Sequence, residues 1–408
     1  MKTLLAAIIG VSLTTSLAVA GPAEQYFDAQ LRVVRLLQGQ IEPLVKLADE
    51  SAAGLLADGN LYLAGEKGMV AELLGRAGGL CAAKALALDK PLPRLCRNDV
   101  ILLSDYGTPG KLDAALAKLV PSGARVVVFA SAENPRLRGP LAANVCGVPV
   151  AIPLDSCLLT SPSGAHLIPT AAPAIASAEW AYTAELLGAC RRQHKQLAVY
   201  LSIFLDEGRR RYQRTKGLTF EPNLRPQSVP PGQYARAFLA SAEQSLTTIR
   251  SSELEQVHKA AEWLREASAA HRKLVRNFMG HLPPNEAGNS GDVAFFTEIA
   301  KGFGDPAVQW IEKNLGPGDV YLFLGYQQNE DRMSAAANAL GARTIFLTSI
   351  PPGVAQARNP RHLYINPHWP LSDGCLELSG YDVKACPISG IVGMSCYFAI
   401  CGEVAGQR

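Results

Sequence analysis

Gly65 and Gly68 have the residue type and the spacing of a ligand-binding turn. The apolar run at residues 60–64 predicts a buried strand before them. Met69 and Leu73 lie on one face of a predicted helix, which ends near Gly78. A strand, a glycine-containing turn and a helix N-terminus direct unpaired N–H groups at one point, where an anion or a sugar hydroxyl can bind. An ordinary βα turn has the same pattern, so the turn alone leaves both interpretations open.

The elements around this turn alternate between strands and helices. Helical spacing extends over residues 23–56 before the turn and over residues 171–192 at the end of this half. Other apolar runs predict strands at residues 85–88, 99–104, 125–131 and 148–154, with a helix at residues 112–119. Strands that alternate with helices predict an α/β fold whose parallel sheet is covered on both faces.

The middle of the chain changes in character. Residues 197–214 have a helical pattern, whereas residues 217–232 are rich in proline and polar residues and predict a linker. One or two long helices are expected over residues 234–271, followed by a strand at residues 273–279.

Three blocks of the first half recur in the same order in the second half, which predicts two tandem copies of one domain. We expect a signal peptide at residues 1–20, the first copy at 23–195, a helix and linker at 196–232, and the second copy at 233–408. The matching blocks are residues 97–103 with 316–322, residues 123–131 with 341–349, and Pro169, Trp180 and Glu185 with Pro387, Phe398 and Glu403.

The N-terminus has the pattern of a secretory signal. Lys2 supplies positive charge, residues 4–11 form an apolar core, and residues 18–20 (Ala-Val-Ala) form a cleavage site before Gly21. We therefore expect an exported protein, periplasmic or extracellular; an uncleaved N-terminal anchor is the alternative. The net charge of +3 is too small to indicate a nucleic acid or an anionic membrane as partner.

Nine cysteines are scattered through apolar stretches, and an odd number does not fit a simple disulfide framework. Oxidation after export could join Cys146 to Cys157, or Cys386 to a neighbour, but the sequence does not assign pairs. We expect no metal and no cofactor. The spacing of His258 and His271 fits no metal site, and nucleotide-hydrolysis, zinc-protease and hydrolase motifs are missing from the sequence.

The sequence resembles a known family, the tandem sugar isomerase (SIS) domain proteins. ELLGRAGG at residues 72–79 is similar to a Glu…Arg-Ala-Gly-Gly stretch of one SIS subgroup. DVILLSDYGT at residues 99–108 is similar to the SIS strand and phosphate loop, and DVYLFLGYQQ at residues 319–328 takes its place in the second copy. The resemblance implies two flavodoxin-like domains, each with a five-stranded parallel sheet and a ligand at the C-terminal strand ends.

The resemblance also implies the ligand contacts. Family members hold a sugar phosphate with Ser and Thr hydroxyls and helix amides, whereas Glu66 and Asp105 add negative charge that Lys67 can offset. Side-chain amides in the second copy suit neutral sugar hydroxyls. The implied residues are Gly65, Glu66, Lys67, Gly68, Ser104, Asp105, Tyr106, Gly107 and Thr108 in the first copy, and Gly280, His281, Asn285, Glu286, Gly325, Tyr326, Gln327, Gln328 and Asn329 in the second.

The candidates for catalysis are few. Isomerisation between an aldose and a ketose needs a base beside the carbonyl, and Glu72, His281 and Glu286 are the candidates. Glu72 lies four residues before Arg76, so a structural ion pair is the simpler interpretation. Trp369 follows His368 and could stack on a sugar, although packing within a loop explains it equally well.

The sequence therefore predicts an exported SIS-like protein that binds a carbohydrate derivative, a sugar or sugar phosphate, without catalysis. A sugar-phosphate isomerase is the first alternative and a periplasmic solute-binding protein the second. The helices before each first strand disfavour the second alternative, because solute-binding lobes begin directly on a strand. A homodimer is plausible from the resemblance alone.

Overall fold

A computed structural model of the chain describes residues 20–153, 157–161, 163–289, 291–293, 295–300, 302–325, 331–370 and 373–406. Two five-stranded parallel sheets dominate it. When the strands are numbered along the chain, their orders across the sheets are 2-1-3-4-5 and 9-8-10-11-12. The second order, read from its own first strand, reproduces the first. The predicted pair of tandem flavodoxin-like α/β domains is therefore confirmed.

The first half starts with two helices and ends with one that is buried along nearly its whole length. Its helices are α1 (Pro22–Gln38), α2 (Ile41–Leu56), α3 (Lys67–Leu73), α4 (Lys111–Leu119), α5 (Pro135–Arg138) and α6 (Ala171–Arg192). Its parallel strands are β1 (Leu61–Gly65), β2 (Ala83–Ala85), β3 (Val100–Ser104), β4 (Arg125–Ser131) and β5 (Val145–Val150), and the hairpin β6 (Cys157–Thr160) with β7 (His166–Pro169) precedes α6.

The second half repeats this order after a connecting helix, α7 (Asp206–Thr215). Its helices are α8 (Gln233–Ser252), α9 (Leu254–Ala269), α10 (Leu282–Glu286), α11 (Asp305–Asn314), α12 (Asp331–Ala339), α13 (Val354–Ala357) and α14 (Ser389–Ala405). Its parallel strands are β8 (Leu274–Phe278), β9 (Glu298–Ile299), β10 (Val320–Leu324), β11 (Arg343–Leu347) and β12 (His362–Ile365), and the hairpin β13 (Gly374–Leu376) with β14 (Ala385–Pro387) precedes α14.

An aspartate at the start of each third strand fixes the alignment of the two copies. Asp99 accepts the N–H of Asn60 at 2.8 Å, and Asp319 accepts the N–H of Lys273 at 2.9 Å. Each carboxylate thereby joins the first strand of its sheet to the third. Asp99 thus aligns with Asp319, so the match of residues 97–103 with 316–322 is shifted by one residue. The structure agrees with the sequence matches in β4 and α6.

Four element predictions are wrong. The strand expected at residues 148–154 lies at Val145–Val150, and the helix expected to end near Gly78 ends at Leu73.

Residues 197–205 are not helical, and helix α7 begins only at Asp206. Residues 198–200 exchange backbone hydrogen bonds with residues 78–81, and these non-local bonds override the local helical spacing. The predicted strand at residues 85–88 lies earlier, at Ala83–Ala85, because only those residues pair with β1.

The helices of both halves share one hydrophobic core. Helix α1 packs against α8 and α14, and α6 packs against α2, α8 and α14. Every residue of α6 except Arg192 is buried, which explains its apolar sequence, AAPAIASAEWAYTAELLGAC. No described helix is long and apolar enough to span a membrane.

Candidate functional site

Gly65 joins the loops that follow the first and third strands of the first copy. Its φ is +99°, and a Cβ there would lie 2.0 Å from the carbonyl oxygen of Ser104, so only glycine fits. The next N–H, that of Glu66, donates to the Ser104 carbonyl at 3.3 Å. The two loops are therefore held side by side at the C-terminal edge of the sheet.

Glu66 bridges these loops and is neutralised from the third-strand side. One carboxylate oxygen accepts the N–H of Tyr106 at 3.2 Å, and the other accepts Lys111 Nζ at 2.6 Å. The sequence suggested Lys67 as the compensating charge, but Lys67 is exposed and Lys111 takes this role.

Asp105 is a buried carboxyl at the base of the same loop. It accepts the N–H of Gly107 at 3.3 Å and the side-chain amide of Asn134 at 3.2 Å. Burial and the nearby charge of Glu66 raise the pKa of Asp105 to about 6. Gly65, Lys67, Ser104 and Asp105 line a cavity of about 620 Å³ on the outer side of the first copy, which we call the outer cavity.

A cavity of about 810 Å³ lies between the two copies, and we call it the carboxylate cavity. Eight of the residues that the family resemblance implied line it. They are Glu66, Lys67, Gly68, Tyr106, Gly107, Thr108, Asn285 and Glu286. The N-terminal residues of α6, Ala171 and Ala172, line it as well, and Thr170 before them makes no side-chain cap.

Glu286 connects the two copies inside this cavity. Its carboxylate accepts the hydroxyl of Tyr106 at 2.9 Å and the side-chain amide of Asn289 at 3.2 Å. Burial raises the pKa of Glu286 to about 7, although both hydrogen bonds act in the opposite direction. Gly68 makes room for this carboxylate, because a Cβ on Gly68 would lie 1.5 Å from Glu286 Oε1.

Glu72 lines neither the outer cavity nor the carboxylate cavity and lies in a buried network between the copies. Its carboxylate accepts Trp180 Nε1 at 3.1 Å and the N–H of Leu282 at 3.1 Å, and it pairs with Arg76. Arg76 also donates to Asp373 at 2.5 Å. The pairing of Glu72 with Arg76 is therefore found, even though α3 ends at Leu73 and the pair is not part of a continuous helix.

His281 faces a third cavity, of about 400 Å³, which we call the aromatic cavity. Its Nδ1 lies 3.0 Å from the carbonyl oxygen of Ala71, and a carbonyl only accepts, so Nδ1 carries the proton. Burial and the nearby charge of Arg76 lower the pKa of His281 to about 4, and the ring is neutral at pH 7. Exposed Phe204 and Phe303 pack edge to face at the rim of this cavity.

The implied residues of the second copy do not converge on one place. Gly280 and His281 line the aromatic cavity, whereas Asn285 and Glu286 line the carboxylate cavity. Gly325 lines none of the three cavities. Tyr326, Gln327, Gln328 and Asn329 lie outside the described residues.

Sequence reasoning missed several polar partners of these sites, namely Lys111, Asn134, Asn289, Asp373 and Ser389. Asp373 lies 297 residues from the arginine that it binds, a separation that no local pattern reveals. Lys111 lies on the helix that follows the third-strand loop, so its position in the sequence could have identified it as a partner of that loop.

Other polar candidates have structural roles. Trp369 is buried, and His368 Nε2 lies 2.9 Å from Glu253, so both belong to a packed loop. His258 is half-exposed and lies with Glu24 and Glu403 in a group whose ligand atoms are within 4.8 Å of one another, a size that fits a metal ion. The spacing in the sequence fits no metal site, and it could not reveal this group, because Glu24 and Glu403 come from helices distant in the sequence.

All nine cysteines are free thiols in the structure. Cys375 Sγ donates to the carbonyl of Cys386 at 3.1 Å across the β13–β14 hairpin. Neither disulfide that the sequence left open is formed.

Comparisons with known proteins relate this fold to one group of solved structures. No family model matches the chain, and no curated protein matches its sequence. A Clostridium difficile 630 protein described as a phosphosugar isomerase superposes with a TM-score of 0.52 at 9% identity, over 95% of this chain and 94% of its own.

Two further structures match with lower scores. The C-terminal domain of glucosamine-fructose-6-phosphate aminotransferase from Francisella tularensis has a TM-score of 0.43 at 8% identity, over 95% of this chain and 97% of its own. A Salmonella typhimurium LT2 protein described as sugar-binding has a TM-score of 0.44 at 10% identity, over 94% of this chain and 98% of its own. The first likeness shows the fold alone, and that fold has the two tandem α/β domains that the sequence predicted.

Proposed function

We propose that this protein is exported and binds a carbohydrate derivative, a sugar or sugar phosphate, in the carboxylate cavity without converting it. The observation that carries the proposal is the contact between Tyr106 of the first copy and Glu286 of the second, inside a cavity of about 810 Å³. Ligand sites of this kind commonly have volumes of roughly 300–1,000 Å³.

The polar groups in the cavity suit sugar hydroxyls, which both donate and accept hydrogen bonds. Glu66 and Glu286 supply carboxylate acceptors, Tyr106 supplies a hydroxyl, and Asn285 and Asn289 supply amides. These groups come from both copies, so a bound sugar would contact both halves of the chain.

The charges in the cavity bear on the choice between a sugar and its phosphate. The two basic side chains that line it, Lys67 and His166, are both exposed, whereas Glu286 is buried. The uncapped N-terminus of α6 lines the cavity at Ala171, and backbone N–H groups there favour an anion. A sugar phosphate would therefore place its hydroxyls near Glu286 and its phosphate near α6.

The separation of the catalytic candidates supports binding without turnover. Glu72 is fully engaged in a buried network, His281 faces the aromatic cavity, and Glu286 faces the carboxylate cavity. A proton transfer between neighbouring carbons needs its acid and base on one substrate, and these three residues do not share one cavity.

Aldose–ketose isomerisation is the second candidate, favoured by one observation. A carboxyl with a pKa of about 7 that lines a ligand-sized cavity is suited to accept and return a proton at neutral pH. Glu286 is that carboxyl.

A thermal-shift screen tests the binding proposal. The chain that starts at Gly21 is mixed with hexoses, hexosamines and their phosphates, and the best compound is titrated by calorimetry. We expect a saturable shift with at least one of them, and about tenfold or more weaker binding in Glu286→Gln and in Tyr106→Phe, since each loses a hydrogen bond that involves a carboxylate.

Glu312→Gln is the matched control, because Glu312 is exposed on α11 and lines none of the three cavities. Failure of every sugar and sugar phosphate to shift the melting temperature would overturn the binding proposal. NMR of a ketose phosphate mixed with the protein tests turnover. Conversion that disappears in Glu286→Gln would establish the isomerase instead.

A further inference from the structure

Glu403, a buried residue near the end of α14, meets the start of α1. Its Oε1 accepts the N–H of Ala23 at 2.9 Å. Glu24, in the first turn of α1, has an oxygen, Oε2, that is buried without a hydrogen-bond partner among the described residues. Two carboxylates therefore meet at the residue that precedes α1.

The equivalent position in the first copy has a cation that the Glu403 position lacks among the residues that the structure describes. Glu185 on α6 accepts the N–H of Gly232 at 3.0 Å at the start of α8, and Arg192 neutralises it at 2.9 Å. Within the described ranges, no lysine or arginine side chain forms an ion pair with Glu403. Nε2 of the half-exposed His258 lies 3.7 Å from the Glu403 carboxylate and 3.6 Å from that of Glu24.

Gly21 lies where a cation would complete this arrangement. A Cβ built on Gly21 would lie 2.8 Å from Glu24 Oε2 and 2.8 Å from Glu403 Oε1. For an N-terminal glycine, rotation about the Cα–C bond by about a third of a turn moves the amino nitrogen to the place of that Cβ, because both are bonded to Cα in tetrahedral geometry. A distance of about 2.8 Å is the normal length of an ammonium–carboxylate hydrogen bond.

We propose that cleavage between Ala20 and Gly21 creates the missing cation, and that the new α-ammonium group of Gly21 binds between Glu24 and Glu403. The inference rests on the proposed export. A leader-removing peptidase hydrolyses the Ala20–Gly21 amide with water, which leaves a carboxylate on Ala20 and an amine on Gly21. The amine takes a proton and becomes the counter-ion.

The uncleaved chain cannot form this contact. Its Gly21 nitrogen is an amide bonded to Ala20, which is exposed in the structure. Turning that nitrogen toward the buried carboxylates would push the preceding residues into the junction of α1 and α14. Processing therefore creates a link between the first helix and the last.

Three forms of the protein test the proposal: one that begins at Gly21, one that begins at Ala20, and one that begins at an Nα-acetylated Gly21. The extra residue moves the ammonium group by about 3.8 Å, and acetylation removes its charge. We expect the form that begins at Gly21 to melt about 3 °C above the other two, and we expect this advantage to disappear in Glu403→Gln and to persist in the exposed control Glu42→Gln.

The outcomes separate the inference from the export proposal. The mass of the protein secreted by its host reports the cleavage point. A retained leader, or cleavage at another bond, would overturn the export step. Cleavage at Gly21 with equal melting temperatures for the three forms would overturn the ammonium site alone. A stoichiometric divalent metal in the purified protein, lost in His258→Ala, would also overturn it, because the ion would occupy the place assigned to the amino group.

Discussion

The carboxylate cavity and the aromatic cavity occupy equivalent places in the duplicated fold. Each is walled by the loop after one copy's first strand, by residues of the other copy, and by the N-terminus of a long buried helix, at Ala171 in one and Ser389 in the other. Their chemistry differs. Tyr106 and Glu286 are joined by one hydrogen bond from a neutral hydroxyl, whereas Arg76 forms ion pairs with two buried carboxylates, Glu72 and Asp373.

This difference shows that two equivalent sites of a duplicated fold can take different roles. On one side, the same backbone arrangement places a hydrogen-bonded pair of polar side chains at the wall of a cavity. On the other side it places charged side chains in an ion network that joins the copies. The predictions below compare the two sides, starting with the largest expected effect.

Arg76→Met should cost about 3–5 kcal/mol of unfolding free energy, because it leaves Glu72 and Asp373 buried without their cation. Urea denaturation measures the loss. Arg332→Met, which breaks the exposed pair with Asp305, should cost about 0–1 kcal/mol. Equal losses in the two variants would mean that the network does not hold the copies together.

Glu286→Gln should change how stability depends on pH. Folded Glu286 keeps its proton up to a pKa of about 7, whereas the unfolded carboxyl loses it near 4.5, so stability falls as the pH rises between these values. The variant should therefore gain up to about 3 kcal/mol over the wild type between pH 4.5 and pH 8. Part of the pH dependence of stability should remain in the variant, because the pKa values of Glu72 and Asp105 are also raised.

Denaturation curves at the two pH values measure this gain. Glu312→Gln, an exposed carboxylate, should show none. A slope unchanged in Glu286→Gln would show that this carboxyl ionises normally in the folded protein.

Gly68→Ala should cost about 1–3 kcal/mol and abolish ligand binding, because its methyl group would overlap the Glu286 carboxylate and displace it from Tyr106. Unfolding curves and the titration with the best sugar measure the two effects. In Gly139→Ala the new methyl group meets nothing closer than 3.7 Å, so both properties should stay as in the wild type. Normal sugar binding by Gly68→Ala would place the ligand elsewhere.

Phe204→Ser should cost less than about 1 kcal/mol, because Phe204 is exposed and mainly loses its edge contact with Phe303. Sugar binding should not change, since this rim belongs to the aromatic cavity. Weaker sugar binding in this variant would contradict the division of tasks between the two cavities.

The sequence was sufficient for features that depend on local periodicity. Apolar runs located β1, β3, β4 and β8 to within a residue or two, because a strand buried on both faces leaves a continuous apolar signature. The short strands β9 and β12 and both hairpins went unpredicted, because they are held by neighbours and not by composition.

The candidate site was predictable only in part, for the same physical reason. The family resemblance pointed to Tyr106 and to Glu286, but their contact joins residues 180 positions apart. Three-dimensional proximity also decided that His281 and Glu286, at opposite ends of α10, face different cavities. Neither fact has a local signature in the sequence.

The shared packing of α1, α6, α8 and α14 has a consequence for the assembly of the protein. The first and last helices of each copy pack against those of the other copy. The surface along which two separate domains would associate is therefore buried within one polypeptide. Residues of both copies of one chain therefore line both inter-copy cavities.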